Sequence, residues 1–182
     1  MNNEQIRAEA RALLENRWNQ CVVLWLIVFG ISMGIGWANE TFGSIVSIII
    51  GGPFALGVSA IFLKITYRQE FKFEDIFDGF KDFTRALTAY LLMCLYVFLW
   101  ALCLIVPGII AAISYAMVFF ILAENPTMKA ADALRHSKTI MEGHKTEYFM
   151  LQLSFIGWGI LALLTFGIGM LWLASYVTTA QA

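Results

Sequence analysis

Two long stretches of this sequence hold no charged residue. Ala86 to Ala123 runs for 38 positions without Asp, Glu, Lys or Arg, and Tyr148 to Ala182 runs for 35. A run of that length with nothing to meet water is not a soluble element; it belongs in lipid. Charge is scarce throughout, at 14%, against about 25% in ordinary globular domains. Apolar residues make up 60% of the chain and the mean hydropathy is +0.74. The net charge of −1 leaves no basic surplus, so nucleic acid is not an expected partner.

Chemistry-bearing residues are scarce too. Cys21, Cys94 and Cys103 all sit in apolar sequence without CxxC spacing, and read as small buried hydrophobes. His136 and His144 are the only histidines. Asp132 lies one turn before His136, but no third ligand stands at metal-site spacing, so both read as solvated helix-face residues. There is no GxSxG, no phosphate loop, no HExxH and no framed pair of carboxylates. The expectation is a protein that is not an enzyme and holds no cofactor or metal. Residues 1–20 mix Arg and Glu and do not read as a signal peptide.

What is present is an alternation of amphipathic and apolar segments. Residues 3–18 place Ile6, Ala10, Leu13, Leu14 and Trp18 on one helical stripe, with Glu4, Arg7, Glu9, Arg11 and Glu15 opposite. Trp18 is expected at the headgroup layer. Two apolar spans follow, about Cys21–Ala38 and Ser44–Lys64, with Asn39–Gly43 as a polar turn between them. Pro53, after Gly51 and Gly52, predicts a kink in the second span. Next, Phe73, Ile76, Phe77, Phe80 and Phe83 recur at helical spacing opposite Glu74, Asp75, Asp78, Lys81 and Asp82. That spacing predicts a second amphipathic helix lying in the membrane interface. Spans three and four are about Ala86–Val106 and Ile109–Ala123, parted by a tight break at Pro107-Gly108.

The polar island Asn125–Lys145 then separates the two charge-free stretches. Asn125 with Pro126 predicts a helix start and Gly143 a stop. Ala130, Leu134, Ser137 and Met141 share the apolar face between them. Span five is about Glu147–Phe166, and Gly167-Ile168-Gly169 breaks the run. Met170–Ala182 would cover only about 20 Å, which reads as a truncated or naturally short sixth span. Gly30 and Gly34, and Ser154 with Gly157 and Gly159, offer small-residue faces for close helix packing.

The twelve Lys and Arg residues fall in three segments. Arg7, Arg11 and Arg17 precede span one. Lys64, Arg68, Lys72, Lys81 and Arg85 separate spans two and three. Lys129, Arg135, Lys138 and Lys145 separate spans four and five. With six spans all three segments face one side, and the positive-inside rule makes that side, and both termini, cytoplasmic. The same order yields three pseudo-repeats within one membrane domain, 3–66, 70–123 and 126–182, each an amphipathic helix and two spans.

Apart from Lys64 and Glu147 at their very ends, the spans contain no Asp, Glu, Lys, Arg or His, so an ion-coupled transporter is disfavoured. The leading expectation is a non-enzymatic membrane scaffold or accessory protein. Its amphipathic segments would meet anionic phospholipid of the inner leaflet, or a membrane protein partner, through Phe77, Phe80, Lys81, Ser137, Lys138 and Lys145. The alternative is translocation of a lipid or hydrophobic solute by way of the second span, kinked at Pro53; Pro107 and Gly108 mark the other helix break. An enzyme acting on lipid headgroups through His136, His144 or Glu142 ranks third.

Several motifs carry a family resemblance. They are Phe77-Asp78-Gly79-Phe80-Lys81, Ile105-Val106-Pro107-Gly108-Ile109, Ala133-Leu134-Arg135-His136-Ser137-Lys138 and Met141-Glu142-Gly143-His144-Lys145. Leu153-Ser154-Phe155-Ile156-Gly157-Trp158 and Thr165-Phe166-Gly167-Ile168-Gly169 continue it. Together they resemble a family of bacterial six-span integral membrane proteins of unknown function. That family is similar in architecture to the membrane domain of some glycerophosphodiester phosphodiesterases. The resemblance implies an all-α membrane helix bundle in the bacterial inner membrane and no catalytic residue. Ser175-Tyr176 stands where the family carries Pro-Tyr, a departure at the last span.

Overall fold

The structure is a computed structural model that describes residues 3–15, 17–37, 40–164 and 168–181. Among these residues every regular element is helical. The α-helices are α1 (Asn3–Leu14), α2 (Trp18–Trp37), α3 (Glu40–Thr66), α4 (Phe83–Cys103), α5 (Ile105–Ser114), α6 (Val118–Glu124), α7 (Ala130–Met141), α8 (Lys145–Leu164) and α9 (Ile168–Gln181). A 3-10 helix, Phe73–Phe80, lies between α3 and α4. Among the described residues, Val46–Thr66, Phe83–Leu102 and Ile105–Glu124 are long and apolar enough to cross a membrane. By length and composition the chain is therefore a membrane protein.

α3 is the hub. It packs against α2, α4, α6, α9 and the 3-10 helix, and two buried clusters lie against it. One joins Ala10 and Leu14 of α1, Cys21 and Leu24 of α2, Ile61, Phe62 and Ile65 of α3, and Leu151, Phe155 and Tyr176 from α8 and α9. The other joins Leu56 with Ala86 and Ala89 of α4, four residues of α6, and Ala130, Ala133 and Leu134 of α7. Exchanging lipid contact for apolar protein contact gains little in a bilayer, so close approach and hydrogen bonding decide which helices pair.

Close approach centres on α3 and the 3-10 helix. A Cβ on Gly57 would clash with the carbonyl oxygen of Ile76, and one on Gly79 with that of Pro53. Backbone thus lies on backbone at two points one helical turn apart on α3. Phe80 packs edge-on to Phe54 at 5.3 Å, and Ile76 is fully enclosed. Asp75 closes the arrangement: its carboxylate accepts from Lys64 Nζ at 2.7 Å and from the Lys72 backbone N–H at 3.0 Å. The segment expected as a second amphipathic helix is a short 3-10 helix, and it is docked on α3. A residue three positions along a 3-10 helix returns to the same face, which brings Phe73, Ile76 and Gly79 toward one side.

Other expectations are corrected in detail. α1 ends at Leu14, and Trp18 opens α2, where its ring meets Tyr176 at 6.5 Å. Pro53 lies inside α3, which continues through it without a break, and helix begins at Glu40 within the expected polar turn. The break between the third and fourth apolar stretches falls at Leu104, whose φ of −164° and ψ of 148° are extended. Pro107 and Gly108 lie within the first turn of α5. Proline is tolerated there because first-turn N–H groups have no partner within the helix. Gly108 closes on Ala101 of α4. The fourth stretch is itself divided, with Tyr115–Met117 separating α5 from α6.

α7 starts at Ala130, not Asn125, and Gly143 with φ +88° ends its exit turn as expected. A Cβ at Gly30 or Gly34 would meet nothing within 4 Å, so the small-residue face of α2 touches no helix among the described residues. Asn39 and the glycine at 167 lie outside the described residues, as does the side-chain environment of position 157.

Candidate functional site

The break in the fourth apolar stretch leaves backbone to satisfy. In a continuous helix the carbonyl of Ser114 would accept from the N–H of Val118. Here the Val118 N–H bonds to Tyr115 at 3.2 Å instead. The freed Ser114 oxygen accepts from the Ser137 hydroxyl at 2.8 Å, and Ser137 is fully buried. A buried carbonyl left without a partner costs about 1–3 kcal/mol, so a hydroxyl from α7 at this point holds the interruption in place. Ser137 was expected on a contact surface. Its place is inside the fold, where it joins α7 to the α5–α6 break.

That junction seats α7 along α4 and α5 and opens a groove. Two adjoining hollows, about 220 Å³ and about 350 Å³, share Trp100, Tyr115 and Lys138. One wall is apolar, with Leu92, Tyr96 and Trp100 from α4 and Pro107, Ile110 and Ala111 from α5. Tyr96 and Tyr115 stack at 5.9 Å on its floor. The opposite wall is basic: Arg135, Lys138 and Lys145. Arg135 has only a long contact, 3.7 Å, to Asp132. Lys138 and Lys145 have no ion-pair partner among the described residues.

Next to the groove, the α4–α5 hairpin tip is the most exposed apolar part among the described residues. Leu102, Leu104, Ile105 and Val106 are 65–77% exposed. Apolar residues so open, beside a basic wall, form a boundary between an oily and a charged environment. The sequence reading sets Pro107 and Gly108 at the charge-free end of the bundle and Lys138 and Lys145 at the charged end. The structure places Pro107, Lys138 and Lys145 along the same groove.

The other singled-out residues sit on the docked 3-10 helix or next to it. Phe77 is exposed, Phe80 half-buried against Phe54, and Lys81 exposed and paired with Asp78 at 2.7 Å. That hydrogen bond to Asp78 raises the Lys81 pKa. Burial pushes the Asp75 carboxyl up, but the bonds from Lys64 and Lys72 outweigh it and hold the group below its usual range. These residues and the groove lie on different elements, so the expected set divides in two.

Sequence reasoning noted Tyr176 only within the Ser175-Tyr176 departure of the last span and gave it no contact. Its hydroxyl donates to the Arg7 carbonyl at 3.0 Å and accepts from Arg11 Nε at 3.1 Å, with the Arg11 guanidinium 5.5 Å from its ring centre. It fastens α9 to α1. Nor did it single out Trp100, Tyr96 and Tyr115, which looked like ordinary members of apolar spans. Among the described residues no cluster of three or more His, Cys, Asp or Glu could hold a metal.

An all-helical membrane protein with a basic and aromatic groove is the class that fold and site define. The family described as a protein of unknown function (DUF975) matches residues 1–114 and 102–182, and the chain belongs to that family. No curated protein and no solved structure matches it.

Proposed function

We propose that this protein is a non-enzymatic membrane scaffold or accessory protein that holds anionic phospholipid, or a membrane partner, at its basic segments. The observation that carries this reading is the groove, where Lys138 and Lys145 stand unpaired beside an aromatic wall. In this reading the chain crosses a bacterial inner membrane six times, through α2, α3, α4, α5–α6, α8 and α9. Helices α2 and α8, of 20 residues each, are long enough at about 1.5 Å per residue to cross a ~30 Å core. α9, with 14 residues, is shorter. Both termini and the basic segments before α2 and between α3 and α4 lie in the cytoplasm, where basic loops accumulate, whereas Lys138 and Lys145 share a hollow with Pro107 and so lie close to the α4–α5 tip. Three repeats of one amphipathic element and two spans account for the order of the chain.

The translocation reading rests on Pro53. The hollow between α2 and α3, bordered by Gly51 and Phe54, holds about 110 Å³, room for a few waters rather than a lipid. The groove favours holding over passage.

The test is an inventory of lipids and proteins that copurify from native membranes, with crosslinking before extraction. Enrichment of anionic over zwitterionic phospholipid, or a reproducibly crosslinked membrane partner, is expected. A lipid content matching the bulk membrane, with no crosslinked partner, overturns the proposal.

A further inference from the structure

We infer that the groove between α4, α5 and α7 is a binding site for one anionic glycerophospholipid, its phosphate held by Lys138 and Lys145 and an acyl chain laid along Trp100 and Ile110. This rests on the lipid-holding role proposed above and specifies where and how it occurs.

Three features select that ligand. The first is charge: two ammonium groups face the groove with no carboxylate to neutralise them among the described residues. Three cations away from the groove are paired, Lys64–Asp75, Lys81–Asp78 and Arg85–Asp82, each at 2.7 Å. A monoanionic phosphodiester supplies the missing charge, and a long lysine stem lets the ammonium reach it while its methylenes stay on apolar surface.

The second feature is the floor. Tyr96, Tyr115 and Trp100 present ring faces with polar tips, which suits the glycerol level of a lipid. The third is continuity: from Trp100 and Ile110 the groove leads onto the exposed apolar residues of the α4–α5 tip, a surface for an acyl chain. A soluble phosphate ester would leave that surface unused. Ser137 has a positioning role here, because its bond to Ser114 sets α7 against α5 and so brings Lys138 to the groove.

The experiment uses the full chain in nanodiscs made from mixed phosphatidylglycerol and phosphatidylcholine, read by native mass spectrometry. Wild-type protein is expected to retain phosphatidylglycerol preferentially. The double variant Lys138→Gln/Lys145→Gln should lose that preference by roughly thirtyfold, whereas Lys138→Arg/Lys145→Arg and the off-groove control Lys129→Gln should keep it. Millimolar glycerol phosphate should not displace the bound lipid. A photoactivatable phosphatidylglycerol, used on wild-type protein alone, should crosslink to peptides containing Tyr96–Trp100 or Ile110–Tyr115.

Wild-type preference that survives in the Gln double variant overturns the groove but leaves the lipid-holding role standing. Absence of any preference in wild type overturns both. Displacement by glycerol phosphate, or crosslinks confined to other helices, overturns the assignment of a lipid to this site.

Discussion

The hydroxyl of Ser137 donates to the carbonyl oxygen of Ser114 across 2.8 Å, in a place with no access to solvent. This is a repair: the donor that a continuous helix would supply, the Val118 N–H, is turned to Tyr115. α7 thereby becomes part of the fourth apolar stretch and not a helix resting on the bundle surface.

Removing that donor should be felt. Ser137→Ala is expected to lower stability by about 1–3 kcal/mol, because the Ser114 oxygen stays buried with nothing to accept from. Ser137→Thr, which keeps the hydroxyl, should fall between wild type and Ala. Thermal unfolding in mild detergent checks both, and an unchanged midpoint in Ser137→Ala would show that another donor reaches Ser114.

Gly57 and Gly79 predict a second effect. A methyl group at either would clash with backbone rather than with a movable side chain. Gly57→Ala and Gly79→Ala should each cost about 1–3 kcal/mol or prevent the 3-10 helix from docking. Gly30→Ala, with open space around it, should be tolerated. Protease cleavage between Arg68 and Lys81 reads the undocking directly: faster cutting in both the Gly57 and Gly79 variants, and no change in Gly30→Ala.

Acid should loosen the same dock. Asp75 has its pKa lowered in the folded protein from an ordinary value of 3.8. Its contribution is therefore present above that value and is lost as pH falls through the lower, folded one. Because Lys64 and Asp75 are both partly exposed, the bridge is worth only about 1 kcal/mol. Asp75→Asn should lower stability near neutral pH and flatten its dependence below about pH 4. Unfolding midpoints from pH 7 down to pH 3 test this, and parallel curves for wild type and variant would contradict it.

Much of the fold was legible because its signals are long. Charge-free runs set the apolar helices, and Ala130, Leu134, Ser137 and Met141 marked the buried face of α7 correctly. What was not legible depended on contacts between segments distant in sequence. Phe73–Phe80 has helical spacing, but Gly57 of α3 is what draws it into a docked 3-10 turn. The break after Ser114 has no proline or glycine to announce it, and its capping donor lies 23 residues away.

The site followed the same division. Lys138 and Lys145 stood out as cations in a polar island. Trp100, Tyr96 and Tyr115 did not, since an aromatic residue in an apolar run carries no sign of its neighbour. Pro107 drew notice as a break, whereas its place is in the first turn of α5 and on the groove wall. GxxxG spacing in α2 predicted a packing face that the structure leaves open, because spacing states only that an approach is allowed.

The most direct measurement of a six-span chain with cytoplasmic basic segments is the sidedness of those segments. In a background with Cys21, Cys94 and Cys103 replaced by Ala, single cysteines Lys72→Cys, Lys129→Cys and Leu104→Cys are exposed to a membrane-impermeant maleimide in intact cells and in inverted vesicles. Leu104→Cys is expected to react only from outside the cell, and Lys72→Cys and Lys129→Cys only from the cytoplasmic face. Labelling of Lys72→Cys or Lys129→Cys in intact cells, or of Leu104→Cys only in inverted vesicles, would contradict that topology.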